Sequence, residues 1–294
     1  MINKEICEYC ELCGGCDFVG VPYARTLDIK LNNFKVLIGI KGVTIEGSPS
    51  PLNYRTRCQL QIGNGKAGFF RKKTHDLIEI KKCALLDERL NKRISELKLP
   101  ENYNGKIELY IKHGAVCERV VEKKYDNRFT QVNEKVNALL IKEVVKSLEL
   151  TPGDNILELY CGSGNLTYAI LDAEPKIKIT GIDLKIEKGK KSAADLIEAE
   201  VEKGLLLLDS QRRLRTFNKL LLDPPRAGVS KSALEVIGAQ EFERIVYVSC
   251  SPEAFVRDKK ILEGNGYKVR SAKLFDMFPF TQYVEAVAVL TKLS

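Results

Sequence analysis

The chain has no run of about 18 consecutive apolar residues, so its 294 residues offer no membrane-spanning helix, and no membrane partner is expected. The opening segment, MINKEICEYCELCGGCDF, lacks the apolar stretch of a secretory signal, and a cytoplasmic location is expected. A disulfide framework is missing too. Nine cysteines is an odd number; four crowd between Cys7 and Cys16, and Cys58, Cys83, Cys117, Cys161 and Cys250 are scattered. Thiol use therefore points to metal binding or catalysis. There are no internal repeats and no low-complexity tracts. Acids are the minority charge, 39 against 47 Lys and Arg, a net +8. Such an excess is compatible with a polyanionic partner, because basic surface gains affinity by releasing counterions from phosphates.

What is present falls into two textures. Residues 1–125 read as a cysteine-rich segment followed by mostly β structure: KVLIGIKGVTI, RTRCQLQIG, AGFFRK, DLIEIKK, KIELYIKHG and AVCERVVEK, punctuated by Gly-Asn-Gly and Asn-Gly. One helix is expected between Leu85 and Leu97. From residue 126 to 294 strands and helices alternate. NEKVNALLIKEVVKSLEL is an amphipathic helix. The strands expected after it are NILELY, ITGIDL, GLLLLD, NKLLLD, RIVYVSC and VEAVAVLTKL, with a Lys-rich helix after ITGIDL. Short apolar strands with intervening helices predict an α/β fold with a mostly parallel sheet. Ligands of such sheets sit at the C-terminal strand ends, where the motifs fall.

The first of these strands runs into Tyr160-Cys161-Gly162-Ser163-Gly164-Asn165, a glycine turn that lets a ligand approach a helix N-terminus. The third glycine of the dinucleotide fingerprint is missing. Asp183 is expected to end the next strand, where a carboxylate accepts hydrogen bonds from a ribose diol. Asp209 is expected to end the third, near an adenine amine. The fourth ends Asp223-Pro224-Pro225-Arg226, a rigid exit without amide donors from either proline. The fifth ends Ser249-Cys250-Ser251-Pro252. A helix N-terminus there predicts a lowered thiol pKa. Glu285 opens the last strand, at the edge of an apolar segment.

These elements resemble the RNA uracil-5-methyltransferases, the class that includes iron–sulfur 23S rRNA enzymes and tRNA enzymes. The resemblance is carried by FTQVN (129–133), LELYCGSGN, LLLDPPRAG, SCSP followed by Arg257-Asp258, and DMFPFTQYVE, and runs from about Cys7 to Glu285. It implies a Rossmann-like class I methyltransferase domain over 126–294, preceded by a smaller β-rich, RNA-binding domain over 1–125. It implies Cys250 as nucleophile and Glu285 as general base. Carbon 5 of uracil is too weak a nucleophile on its own, and thiolate addition at carbon 6 activates it; a base must then remove the carbon 5 proton. The resemblance further implies S-adenosylmethionine contacts from Gln131, Tyr160, Asn165, Asp183 and Asp223, with Asp209 as a further candidate. The chain departs from the family at Ser251, usually Asn, and at Tyr283, usually His. It begins too late to hold the family's N-terminal RNA-binding barrel, the TRAM domain.

Cys7, Cys10, Cys13 and Cys16 are spaced C-x2-C-x2-C-x2-C. Close thiolates plus a distant one suit a [4Fe–4S] cluster, and the family pattern maps onto Cys7, Cys13, Cys16 and Cys83. Zinc on Cys7, Cys10, Cys13 and Cys16 is the rival. Arg55, Arg57, Arg71, Lys72, Lys73, Lys81 and Lys82 are candidate phosphate contacts, with Phe69 or Phe70 available for stacking. The expected partner is structured RNA, rRNA ahead of tRNA; no DNA is expected, and the chain is expected to be a monomer. Cytosine-5 methylation fits less well because DPPRAG has no cysteine. A non-catalytic iron–sulfur RNA-binding module is the alternative of a different class. Radical chemistry fits least, since Cys7, Cys13 and Cys16 do not match its cysteine spacing.

Overall fold

The computed structural model describes residues 1–121, 131–186 and 194–292. Phe129 and Thr130, the 125/126 boundary and most of the expected Lys-rich helix (187–193) lie outside the described residues. The chain forms two compact units, each assembled from three stretches. One is Met1–Lys30, Gly47–Asn137 and Asp276–Tyr283; the other is Leu31–Glu46, Ala138–Phe275 and Val284–Ser294. The sequence texture predicts one crossing between units. The structure has several, because an early strand completes the large sheet and a late loop is fastened into the small unit.

In the smaller unit the helix α1 (Tyr23–Ile38) begins, and an antiparallel sheet follows. Its strands are β2 (Arg57–Gly63), β3 (Lys66–Phe70), β4 (Leu77–Glu79), β5 (Gly105–Lys112) and β6 (Ala115–Val120), in the order β4-β3-β2-β5-β6. Strand alternation sends Cys58, Leu60, Ile62, Ile107, Leu109 and Ile111 to one face, where they pack with Leu90 and Ile94 of α2 (Glu88–Ser95). The loop Asp276–Tyr283 is held by a buried ion pair between Lys30 and Asp276. Lys30 Nζ also donates to the carbonyls of Phe278 (3.0 Å) and Tyr283 (2.8 Å), which uses all three ammonium hydrogens. Tyr23 Oη donates to the other Asp276 oxygen at 2.7 Å.

The larger unit is an eight-stranded sheet in the order β1-β12-β13-β11-β10-β7-β8-β9. The strands are β1 (Thr44–Glu46), β7 (Asn155–Leu159), β8 (Lys178–Asp183), β9 (Asp195–Glu198), β10 (Lys219–Leu222), β11 (Arg244–Ser249), β12 (Tyr267–Phe275) and β13 (Glu285–Lys292). Only β13 runs against its neighbours, so the expected mostly parallel α/β sheet is what forms. Its helices are α3 (Glu134–Leu148, which begins in the smaller unit), α4 (Asn165–Ala173), α5 (Val201–Ser210), α6 (Lys231–Gly238) and α7 (Pro252–Gly264). No helix among the described residues is long and apolar enough to cross a membrane.

Two expected strands are corrected. KVLI of KVLIGIKGVTI is the last turn of α1, and only Thr44–Glu46 beyond the glycines is extended. GLLLLDS lies in α5, not in a strand. Gly204, Leu205 and Leu208 turn inward, while Leu206 and Leu207 are exposed, a helical spacing hidden within a run of leucines.

Candidate active site

The turn after β7 needs backbone that most residues avoid. Tyr160 has φ +67° and donates its amide to Ile182 O at 2.8 Å. Gly162 and Gly164 follow at +54° and +81°. At Gly164 a Cβ would lie 2.3 Å from the Tyr168 ring, so only glycine fits the cap of α4. Asn165 is the first residue of that helix. A Cβ at Gly162 would meet nothing within 4 Å, and the Gly162 amide donates to Asp183 Oδ2 at 2.9 Å. The Lys185 amide donates to Asp183 Oδ1 at 3.0 Å. Each oxygen keeps acceptor capacity after these bonds, so a diol can be received beside an open glycine turn.

Asp209 is corrected. It is exposed on α5, one residue from the helix end, and does not end a strand. The third strand ends at Glu198, which pairs in register with Asp183. Sequence reading passed over it because DLIE is short and lies just ahead of a more conspicuous apolar run.

Cys250 and Glu285 come together through strand register. β11 and β13 pair Ser249 with Ala286, which brings the next residue, Cys250, alongside Glu285. Glu285 is only 9% exposed. Burial, and secondarily Asp223, push its carboxyl up to about 8, with Arg226 opposing. Burial and Asp183 raise the half-buried Asp223 to about 7. The Cys250 thiol is pushed up to about 11 by burial, then by Glu285 and Asp223, with Arg226 opposing. The lowered thiol pKa expected from the helix N-terminus is not found. Pro252 has no amide hydrogen, and Ser251 caps α7 by accepting from the Ala254 amide at 3.3 Å. The Cys250 amide lowers the thiol only slightly, and burial beside carboxyls prevails. Ser251 also explains itself as that cap.

In the smaller unit, Gln131 accepts from Thr56 Oγ1 at 3.3 Å through its carbonyl. The ring of Tyr283 lies edge-on to Phe278. Cys7, Cys13 and Cys16 each feel the charge of Cys83. Cys10 is instead buried in a small core with Ile2, Tyr54, Ala84, Leu85 and Phe280. Asn91 fixes the backbone of Cys83 at both ends, accepting from its amide at 2.8 Å and donating to its carbonyl at 3.0 Å. Among the described residues, no three His, Cys, Asp or Glu side chains converge as closely as a single metal ion requires. One tetrahedral ion draws its sulfurs to about 2.3 Å from itself, whereas a cubane carries its four thiolates on separate irons and spreads them farther. Cys7, Cys13, Cys16 and Cys83 are four thiols within electrostatic reach of one another, a donor set of the kind that a cluster uses.

Residues 106–202 and 207–293 match the family model described as tRNA (Uracil-5-)-methyltransferase. A 23S rRNA (uracil(1939)-C(5))-methyltransferase of Mannheimia succiniciproducens is 26% identical over 362 residues, covering 98% of this chain and 82% of its own. An uncharacterized RNA methyltransferase of Bdellovibrio bacteriovorus is 27% identical over 309 residues, covering 97% and 78%. Among solved structures, the Pyrococcus abyssi tRNA (uracil-54, C5)-methyltransferase in complex with S-adenosyl-L-homocysteine superposes with a TM-score of 0.74 at 22% identity, over 94% of this chain and 86% of that one. At that identity the likeness is one of fold.

Proposed function

Because this chain belongs to the tRNA (uracil-5-)-methyltransferase family, and so is an RNA (uracil-5-)-methyltransferase, we propose that it methylates carbon 5 of a uridine in 23S rRNA, with Cys250 as nucleophile and Glu285 as base. The observation that carries the chemistry is the register that sets Cys250 beside Glu285 at the exits of β11 and β13. The choice of rRNA is supported by relatives that act on 23S rRNA and cover nearly the whole chain, the cysteine segment included.

Cys250 gives up its thiol proton to solvent, the thiolate Sγ adds to carbon 6 of the uracil, and the ring electrons make carbon 5 the nucleophile. S-adenosylmethionine, when bound, supplies an electrophilic methyl group. Glu285 then takes the proton from carbon 5; that C–H bond pair closes the carbon 5–carbon 6 double bond and the sulfur leaves. The buried, raised carboxyl of Glu285 is a base whose ionised form is strongly proton-seeking near neutral pH. Asp183, Tyr160, Asn165 and Asp223 would hold the cofactor, the first through the free acceptor sites beside Gly162. Gln131 is assigned by the resemblance alone. Cys7, Cys13, Cys16 and Cys83 would hold a [4Fe–4S] cluster. Methyl transfer consumes no electrons, so its part is to order the small unit, to which we assign the RNA grip.

The test is trapping on RNA transcribed with 5-fluorouridine, because fluorine at carbon 5 cannot leave as a proton. Wild type with cofactor is expected to give a gel-stable adduct on a 23S rRNA transcript, lost in Cys250→Ala. An adduct on tRNA transcripts and not on rRNA would overturn the substrate assignment. No adduct on either would overturn catalysis and favour a non-catalytic RNA-binding module.

A further inference from the structure

The loop after β10 carries Asp223 and Arg226, both of which act electrostatically on Cys250 and Glu285. Its first residue is anchored: the Asp223 amide donates to Leu159 O at 3.3 Å. Pro224 and Pro225 stiffen the exit. The far half closes onto one buried carboxylate. Asp258, on α7, is 0% exposed. Its Oδ2 accepts from the Val229 amide at 2.7 Å and from Tyr247 Oη at 2.6 Å. Its Oδ1 accepts from Arg257 Nε at 2.8 Å and Nη2 at 2.6 Å. Arg257 Nη2 also donates to the carbonyls of Ala227 (2.8 Å) and Val229 (3.1 Å). Helix neighbours ordinarily point apart, so a guanidinium folded back onto the adjacent carboxylate indicates a shared task, the loop. Gly228, at φ +77°, completes the seat, because a Cβ there would lie 2.4 Å from Arg257 Nη2 and 2.6 Å from Asp258 Oδ2.

We propose that Asp258, with Arg257, is a positioning residue for the methylation reaction: it pins the loop 223–229 to β11 and α7 and so fixes Arg226 against Cys250 and Glu285. The inference rests on the reading of Cys250 and Glu285 as the reacting pair. One carboxylate ties together three elements around the thiol. Tyr247 lies three residues before Cys250 on β11, and Asp258 lies eight after it on α7. Val229 closes the loop that holds Arg226. With Asp223 tied to β7, the clamp governs the backbone of the far half of the loop, from Arg226 to Val229.

The groups that face Cys250 are Glu285 from β13, with Asp223 and Arg226 from the loop; on its own element Glu253 is taken up by Ser251 Oγ at 3.2 Å. Arg226 is the cation among them, and its withdrawal disfavours the thiolate. The experiment uses the full chain with its metal content intact and needs no RNA. Alkylation of Cys250 by iodoacetamide is followed against pH by peptide mass spectrometry in wild type, Asp258→Asn, Arg226→Met and the double variant. In Asp258→Asn the half-alkylation pH is expected to rise by about half a unit or more, Arg226→Met to do likewise, and the double variant to rise no further than Arg226→Met alone. An unchanged midpoint in Asp258→Asn, or additive shifts in the double variant, would overturn the proposal. Gly228→Ala attacks the same seat from the loop side, and decides the matter if Asp258→Asn does not fold. Because alkylation is independent of the RNA, a failed rRNA assignment leaves this result readable.

Discussion

A thiol held near 11 beside a carboxyl held near 8 sets the order of proton events at the site. Glu285 ionises first as pH rises, and its charge then opposes that of the thiolate. In the proposed mechanism elimination requires ionised Glu285, so release of methylated RNA should climb through pH 7 and level off above about 8 in single-turnover assays. A release rate flat from pH 6 to 9 would remove Glu285 from the step. Glu285→Gln keeps the shape and loses the base. It is expected to accumulate a methylated protein–RNA adduct with ordinary uridine, release slowing by about 10²–10⁴-fold, detectable on denaturing gels with labelled methyl donor. That Cys250 follows β11 and Glu285 opens β13 was legible from the apolar runs, while their roles were read from the family resemblance. The state of the thiol was not. A cap serine and a proline decide which amides of α7 remain available, and burial beside Glu285 and Asp223 outweighs the helix end.

At the scale of elements, β7 carries a buried carboxyl one residue before its end. Glu158 is 1% exposed, accepts from Thr167 Oγ1 at 2.6 Å, and is raised by burial to about 8. Its folded form holds a proton that the unfolded chain releases near 4.5, so stability declines as pH rises from about 4.5 to about 8. Glu158→Gln should abolish its share of that decline. At pH 9 the variant is expected to be more stable than wild type by on the order of a few kcal/mol in urea unfolding, and little changed at pH 4.5. Equal midpoints at pH 9 would refute this. Most of the large sheet could be read from its apolar strands. β12 escaped because YKVRSAKLF mixes charges into the strand, and the last turn of α1 was taken for strand because KVLI and VTI flank glycines. The leucines of α5 misled for a different reason. Four in a row satisfy a buried strand and a helix alike, and periodicity alone does not separate them. That error displaced Asp209 and hid Glu198.

Across the whole molecule the net charge is +8, and three of the basic residues stand beside the cysteine segment. Lys72, Lys73 and Lys81 are exposed, and the loop around them is stitched to the cysteine segment. Gly14 donates to Phe70 O at 3.0 Å, Lys72 to Leu12 O at 2.9 Å, and the Lys81 amide to Tyr9 Oη at 3.3 Å. Replacing the three lysines with Gln should lower the slope of log affinity against log salt by roughly 2–3, for an rRNA fragment measured by filter binding. An unchanged slope would place the RNA elsewhere. The split into units was only half legible, since composition changes once along the chain while the fold passes back and forth.

That back-and-forth has a consequence for how the protein is born. Cys7 to Cys16 leave the ribosome long before Phe280, which closes the small core in which Cys10 sits. The loop bearing Phe280 is itself fastened by Lys30, some 250 residues upstream. During synthesis the thiols therefore wait uncovered while the residues up to Phe280 are assembled. Any metal cargo is thus committed to its seat only once Phe280 has been made, and a ribosome stalled before it leaves behind an open, oxidisable cysteine segment.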